Sequence, residues 1–261
     1  MTEPIRYAPD GHVAVITLAR PEKRNAFSLA MLAGLAEAYT QAEADPEIRV
    51  LLVVADGAHF TAGLDLAEVG PAVAAGGALF PGDAERIDPL GLRGRHRTKP
   101  VVVAIGGYCL TIGIELALAS DVIVASESAR FGQIEVGRGI FPFGGATFRM
   151  PARLGWHDAM RWLLTGELFD AKEAHRIGLV QEVAPEDTYR DRARAIADGI
   201  ARAAPLGVLA TLRNAWLAER EGEAAANAAL LAEARALMAT EDAAEGMQSF
   251  LERRAARFRG R

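Results

Sequence analysis

The sequence predicts an α/β protein whose last third is helical. Three observations carry this. Nearly continuous apolar runs recur at 48–54, 101–105 and 122–125, as expected for strands buried on both faces. Turn residues and helix-like stretches alternate with these runs through the first two thirds of the chain. From Glu186 to Arg257 the sequence is rich in Ala and laced with Arg and Glu, which reads as helix after helix.

Taken in order, Met1 to Arg6 lacks the basic-then-apolar layout of a signal peptide. Residues 12–18 read as a strand and 20–25 as a loop. Ser28 is a candidate N-cap for a helix with Leu29, Leu32, Leu35 and Tyr39 near one face, ending before Asp45-Pro46. Asp56-Gly57 closes the next strand with a turn. Residues 70–83, rich in Gly, Pro and Ala, predict a mobile loop leading into a helix around Glu85–Arg97. Pro100 opens the 101–105 strand. The uncharged run from Val101 to Ile114 would attract a membrane-span window, but Gly106, Gly107, Gly113 and Glu115 make it strand, turn and helix. A last short strand is expected near Leu179–Val183.

The chain has 261 residues, 51% hydrophobic and 24% charged, which fits one large globular α/β domain and excludes general disorder. Its net charge of -5 argues against a nucleic-acid-binding role. Two short basic clusters, Arg93, Arg95, His96, Arg97, Lys99 and Arg253, Arg254, Arg257, Arg259, Arg261, read as solvated faces or as local sites for phosphates on an acidic ligand. The single cysteine, Cys109, permits no intramolecular disulfide and no cysteine metal cluster, and the five histidines show no ligand spacing, so no metal is expected. A cytoplasmic location and no membrane partner are expected. No phosphate-binding Gly-rich motif and no serine nucleophile elbow are present.

Two segments could carry chemistry. His59-Phe60-Thr61-Ala62-Gly63-Leu64-Asp65-Leu66 and Gly106 to Glu115 each read as strand, small-residue turn and helix start. Such turns leave backbone N–H groups that can hold an anion or a polarised carbonyl. Glu115 then lies in the first turns of a helix in apolar sequence, where burial raises a carboxyl pKa. Glu135, in Phe131-Gly132-Gln133-Ile134-Glu135, is a second acid among apolar and glycine residues. Paired carboxylates are a recurrent acid/base solution, but spacing alone does not bring these two together.

In this order the segments resemble the enoyl-CoA hydratase/isomerase (crotonase) superfamily over almost the whole chain. The resemblance rests on Arg20-Pro21-Glu22-Lys23-Arg24-Asn25-Ala26, Ala62-Gly63-Leu64-Asp65-Leu66, Gly107-Tyr108 with Glu115-Leu116-Ala117, Ala129-Arg130-Phe131-Gly132-Gln133 with Glu135, and Glu245-Gly246-Met247. It implies a spiral of β-β-α turns spanning residues 1–195, with a helical region at 196–261 that assembles trimers, often paired into hexamers. It implies an acyl-CoA thioester substrate and no separate cofactor, since coenzyme A is part of the substrate. It places Glu115 and Glu135 as the catalytic pair, and the N–H groups of Leu64 and Ile112 as the oxyanion hole. Arg24, Ala26, Ala62, Gly63, Asp65, Leu66 and Tyr108 fall at CoA or substrate positions. Both glutamates together imply hydration of a 2-enoyl-CoA. Isomerase or C–C lyase chemistry, or acyl-CoA binding without turnover, are the alternatives. The family's triple glycine reads Thr111-Ile112-Gly113 here, and Phe141 and Phe143 stand near the acyl position. An acyl pocket of altered size or shape is therefore expected.

Overall fold

The computed structural model describes residues 3–80 and 85–261. Its framework is a six-stranded sheet in the order β1-β2-β3-β4-β6-β9. These strands are β1 (Ile5–Asp10), β2 (Val13–Leu18), β3 (Val50–Ala55), β4 (Val101–Ile105), β6 (Val122–Ser126) and β9 (Glu182–Ala184). β1 runs antiparallel to β2, and the remaining pairings are parallel. The expected strands at 12–18, 48–54, 101–105 and 122–125 are present within two residues. The last short strand begins slightly later than expected. β1 was not anticipated, because an edge strand with exposed alternate residues shows no apolar run.

The continuous apolar runs have a direct cause: the sheet is covered on both sides. Leu51, Val53, Val101, Val103 and Ile105 face one core, together with α1 (Leu29–Ala44). Val50, Leu52, Val102, Ala104 and Val124 face the other, beneath α7 (Tyr189–Arg202). Ala193, Ala197 and Ala201 of α7 recur every fourth residue, so one helix face is small enough to lie close on the strands. The N-cap is as the sequence implies: Ser28 Oγ accepts from Met31 N at 3.2 Å. Leu32, Leu35 and Tyr39 are buried, whereas Leu29 remains 44% exposed.

A second, three-stranded sheet holds β5 (Tyr108–Leu110), β7 (Arg130–Gly132) and β8 (Phe169–Asp170). Its strands are two or three residues long, too short for periodicity to reveal. Thr61 bridges Cys109 in parallel, and Cys109 pairs with Phe131 in β7. The chain thus makes three successive turns. Each leaves the large sheet at β3, β4 or β6, crosses to the small sheet, and, in the first two, enters a helix: α2 (Leu66–Ala74) and α3 (Ile112–Leu118). The third enters a one-turn 3-10 helix at Glu135–Arg138. This is the expected β-β-α spiral.

Two expectations need correction. Residues 66–74 form α2 despite Gly70 and Pro71, because a proline in the second turn removes only one backbone donor. Residues 81–83 of the expected loop lie outside the described residues. No helix forms over 85–97 among the described residues. Pro89 stands in the stretch, and Gly91 and Gly94 take left-handed φ values of 62° and 64°. The chain there is organised instead by buried Asp88, which accepts from the N–H groups of Leu90, Leu92 and Arg93 at 2.8, 3.0 and 3.1 Å.

The remaining helices are α4 (Ala146–Leu154), α5 (Trp156–Thr165), α6 (Ala171–Arg176), α8 (Pro205–Glu221), α9 (Glu223–Met238) and α10 (Glu241–Leu251). Among the described residues no single helix is long and apolar enough to cross a membrane. The entry to β4 is clamped by Asp121, whose carboxylate takes Arg97 at 2.8 and 2.9 Å and Val101 N at 2.7 Å. The two charged side chains are only 11% and 17% exposed, so breaking the pair strands a largely buried guanidinium. Asp121→Ala should therefore cost about 3 kcal/mol in urea unfolding. Asp158→Ala, which breaks an exposed pair with Arg176, should cost under about 1 kcal/mol. Equal costs would show that the clamp contributes no more than a surface pair.

Candidate active site

The register of the small sheet builds the site. Thr61, Cys109 and Phe131 stand side by side, and the residues three positions later, Leu64, Ile112 and Ile134, converge on one pocket of about 200 Å³. Glu115 and Glu135 share its lining with Ala62, Leu66, Thr111, Arg138, Ile140 and Phe143. Residues 20–27 are tied to the first turn by buried Asn25. Its Nδ2 donates to the carbonyls of Asp56 and His59 at 2.9 and 2.8 Å, and its Oδ1 accepts from Arg20 N.

The backbone donors of the first turn are almost all consumed. Ala62 N donates to Arg24 O, Gly63 N to Thr61 Oγ1, and Asp65 N to Phe27 O. Phe27 bridges Leu64 in parallel through the neighbours of Leu64, which directs the Leu64 N–H away from Phe27. In the second turn Thr111 N donates to Gly132 O, while Ile114 N and Glu115 N donate to Thr111 O. Ile112 is the first residue of α3, where an N–H has no partner within the helix. Among the described residues, the N–H groups of Leu64 and Ile112 thus have no acceptor and border the pocket that holds both glutamates.

The two carboxylates are 3% and 6% exposed. Burial raises the Glu115 pKa. The N–H groups of Ala146 and Gly144, at 3.3 and 2.6 Å from Oε1, and the charge of Arg149 oppose this by favouring the ionised form. A carbon added at Gly144 would collide with the Glu115 carboxylate, so only glycine admits this contact. Glu135 is pushed up to about 7, first by burial and also by the negative charge of Glu115. With its amide oriented to suit its neighbours, Gln133 donates to both Glu135 oxygens at 3.2 and 3.0 Å and to Thr111 O at 3.3 Å.

Thr111 departs most from ordinary geometry. Its φ of 52° and ψ of -115° are a strained conformation for a β-branched residue, costing about 1–3 kcal/mol. Its Oγ1 is buried without a hydrogen-bond partner among the described residues and stands against Gly63, whose own φ is 103°. Thr111 and Ile112 both line the pocket, so their side chains take up space beside the two carboxylates. Ile140 and Phe143 also line a neighbouring cavity of about 530 Å³. Phe80, Phe141 and Phe143 help to wall this cavity.

Of the sequence-derived candidates, Glu115, Glu135, Leu64, Ile112, Ala62 and Leu66 line the pocket. Arg24, Ala26, Gly63, Asp65 and Tyr108 do not line it. Arg24 is exposed, Asp65 is paired with Arg20 at 3.1 Å, and the Tyr108 ring packs tilted against His59 with centroids 4.8 Å apart. The sequence reading missed the donors at Gly144 and Ala146, which no side-chain pattern signals. It also missed Gln133 as a partner of Glu135, and Arg138, which lines the pocket. Among the described residues, groups of acids, histidines and cysteines able to hold a metal ion are absent.

An α/β spiral with two buried carboxylates and two backbone donors that have no acceptor among the described residues holds the parts that acid/base chemistry on a polarised carbonyl requires. The chain matches the enoyl-CoA hydratase/isomerase family over residues 9–261, and it belongs to that family. It is 34% identical to an enoyl-CoA hydratase of Mycobacterium tuberculosis, over 96% of this chain and 94% of the relative. It is 37% identical to the 2,3-dehydroadipyl-CoA hydratase of Escherichia coli, over 95% and 96%. A crystal structure of a probable enoyl-CoA hydratase/isomerase from Mycobacterium abscessus superposes with a TM-score of 0.96 at 52% identity, covering 99% of each chain.

The coupling between the glutamates can be measured directly. Carbon-13 NMR of labelled glutamate should show Glu135 titrating at about 7. In Glu115→Gln the neighbouring negative charge is gone, so the Glu135 midpoint should fall. A wild-type midpoint in the ordinary carboxylate range, or no movement in the variant, would contradict this picture.

Proposed function

We propose that this protein is an enoyl-CoA hydratase, adding water reversibly across the C2–C3 double bond of a 2-enoyl-CoA thioester. The observation that carries the reading is the single pocket joining Glu115 and Glu135 to the N–H groups of Leu64 and Ile112. In this reading the thioester oxygen lies between the two N–H groups. Glu115, its charged form supported by Gly144 N and Ala146 N, takes a proton from water as the water oxygen bonds to C3. The double-bond electrons move toward the thioester, and the enolate oxygen is held by the two donors, each worth about 3 kcal/mol in sites of this kind. Glu135, protonated near neutral pH, delivers its proton to C2. Proton exchange between the carboxyls and solvent then restores the starting state.

Arg24 has no ion pair with the described residues and projects from the loop beside Ala62, which suits it to the phosphates of coenzyme A. Ala26, Gly63, Asp65 and Tyr108 would then shape the entry that the thioester follows. In the helical region at 196–261, Leu231, Met238, Met247, Phe250 and Leu251 are 64–79% exposed, a surface suited to further copies of this chain in a trimer or a dimer of trimers. Phe250→Asp should lower the mass measured by analytical ultracentrifugation. An unchanged mass would remove this face from the interface.

The reaction is tested with 2-enoyl-CoA thioesters in oxygen-18 water. The expected product carries one labelled oxygen. Glu115→Gln and Glu135→Gln should each lower kcat by about 10²–10⁴-fold. A product with unchanged mass and a shifted double bond would sink the hydratase reading.

A further inference from the structure

The basic run Arg93, Arg95, His96, Arg97 and Lys99 is a sequence feature that hydration does not use. The fold consumes most of it. Arg97 forks onto Asp121 at 2.8 and 2.9 Å and also reaches the carbonyls of Lys99 and Ala119. Lys99 is buried, and its Nζ donates to the carbonyls of Ala42 and Asp45. Arg95 approaches Glu43 at 3.9 Å. Partial burial and the nearby Arg220 hold His96 below the ordinary histidine range. Arg93 alone is left, and its guanidinium makes no hydrogen bond or ion pair with the described residues.

Arg93 borders the cavity of about 530 Å³ that adjoins the catalytic pocket. The other walls are mainly apolar, including Leu79, Phe80, Leu90, Leu92 and Phe141. Asp88, the acid among the lining residues, already accepts three backbone N–H groups, and one of these is the N–H of Arg93. The loop backbone at Arg93 is therefore fixed even without regular secondary structure, while its charge has no partner among the described residues.

We propose that this cavity receives an acyl chain whose far end carries a carboxylate, and that Arg93 pairs with that carboxylate. The inference rests on the hydratase reading and names the substrate class for it. An apolar wall makes a bare carboxylate costly to accommodate. A guanidinium carried on a fixed backbone offsets that cost with charge-assisted hydrogen bonds. An uncharged chain of the same length leaves the guanidinium hydrated at the rim and gains nothing from it.

The test compares a 2-enoyl-CoA bearing a terminal carboxylate with its terminal-amide counterpart, over a series of chain lengths. At one length the wild type should favour the carboxylate in kcat/KM by roughly tenfold or more, and added salt should shrink the ratio. Arg93→Gln should bring the ratio to about one, while Arg93→Lys should keep part of it. Arg95→Gln, which removes a cation of the same run that faces Glu43 and does not line the cavity, should preserve the preference. Equal wild-type turnover of each matched pair, or a preference that survives in Arg93→Gln, overturns the proposal and leaves the hydratase reading intact. Failure to hydrate any enoyl-CoA thioester overturns the hydratase reading as well.

Discussion

The site depends first on the parallel ladder that holds Thr61, Cys109 and Phe131 abreast. The strands β5 and β7, three residues each, and the single bridge at Thr61 would be marginal alone. Here each of these segments follows a strand of the large buried sheet, β4, β6 and β3 respectively. A slip of one residue along this ladder would rotate side chains to the other face and part the two carboxylates. Close packing fixes the register: a carbon added at Gly113 would come within 2.5 Å of Thr61 Cγ2 and 3.1 Å of Cys109 Sγ. The Leu64 and Ile112 amides are thus aligned by the same bonds that build the fold.

Burial then separates the two acids. Each is removed from water to a similar extent, yet their neighbours differ. Glu115 meets two backbone N–H groups and the field of Arg149, while Glu135 meets the amide of Gln133 and the charge of Glu115. Two like side chains in one pocket acquire different proton affinities through their surroundings. The strain held at Thr111 and the unsatisfied Oγ1 beside it lie in the same few residues, where the fold concentrates its unfavourable local geometry.

Much of this was legible in the sequence, and the boundary is physical. Val101 to Ile105 could be read because burial on both faces leaves an unbroken apolar run. Ser28 could be read because capping needs a short polar side chain at that place. Glu115 and Glu135 could be named through the ordered resemblance, but their shared pocket comes from strands too short to show a period. The helix expected around 85–97 does not form, because Pro89 and the left-handed glycines prevent it. The Gly144 and Ala146 donors act through the backbone, so no side chain announces them. The basic run around Arg93 was visible as a cluster, but only three-dimensional pairing distinguishes the member left uncommitted.

The contact between Gly144 and Glu115 bears on how this enzyme can drift. Leu64 and Ile112 contribute backbone N–H groups, so their side chains can vary within the limits of packing. Gly63 and Gly144 offer no side chain, yet neither can gain a single carbon without striking Thr111 or Glu115. A lineage exploring new acyl groups would therefore keep the silent glycines and rewrite the residues named for binding. Sequence invariance in descendants of this chain would mark steric exclusion as faithfully as it marks catalysis.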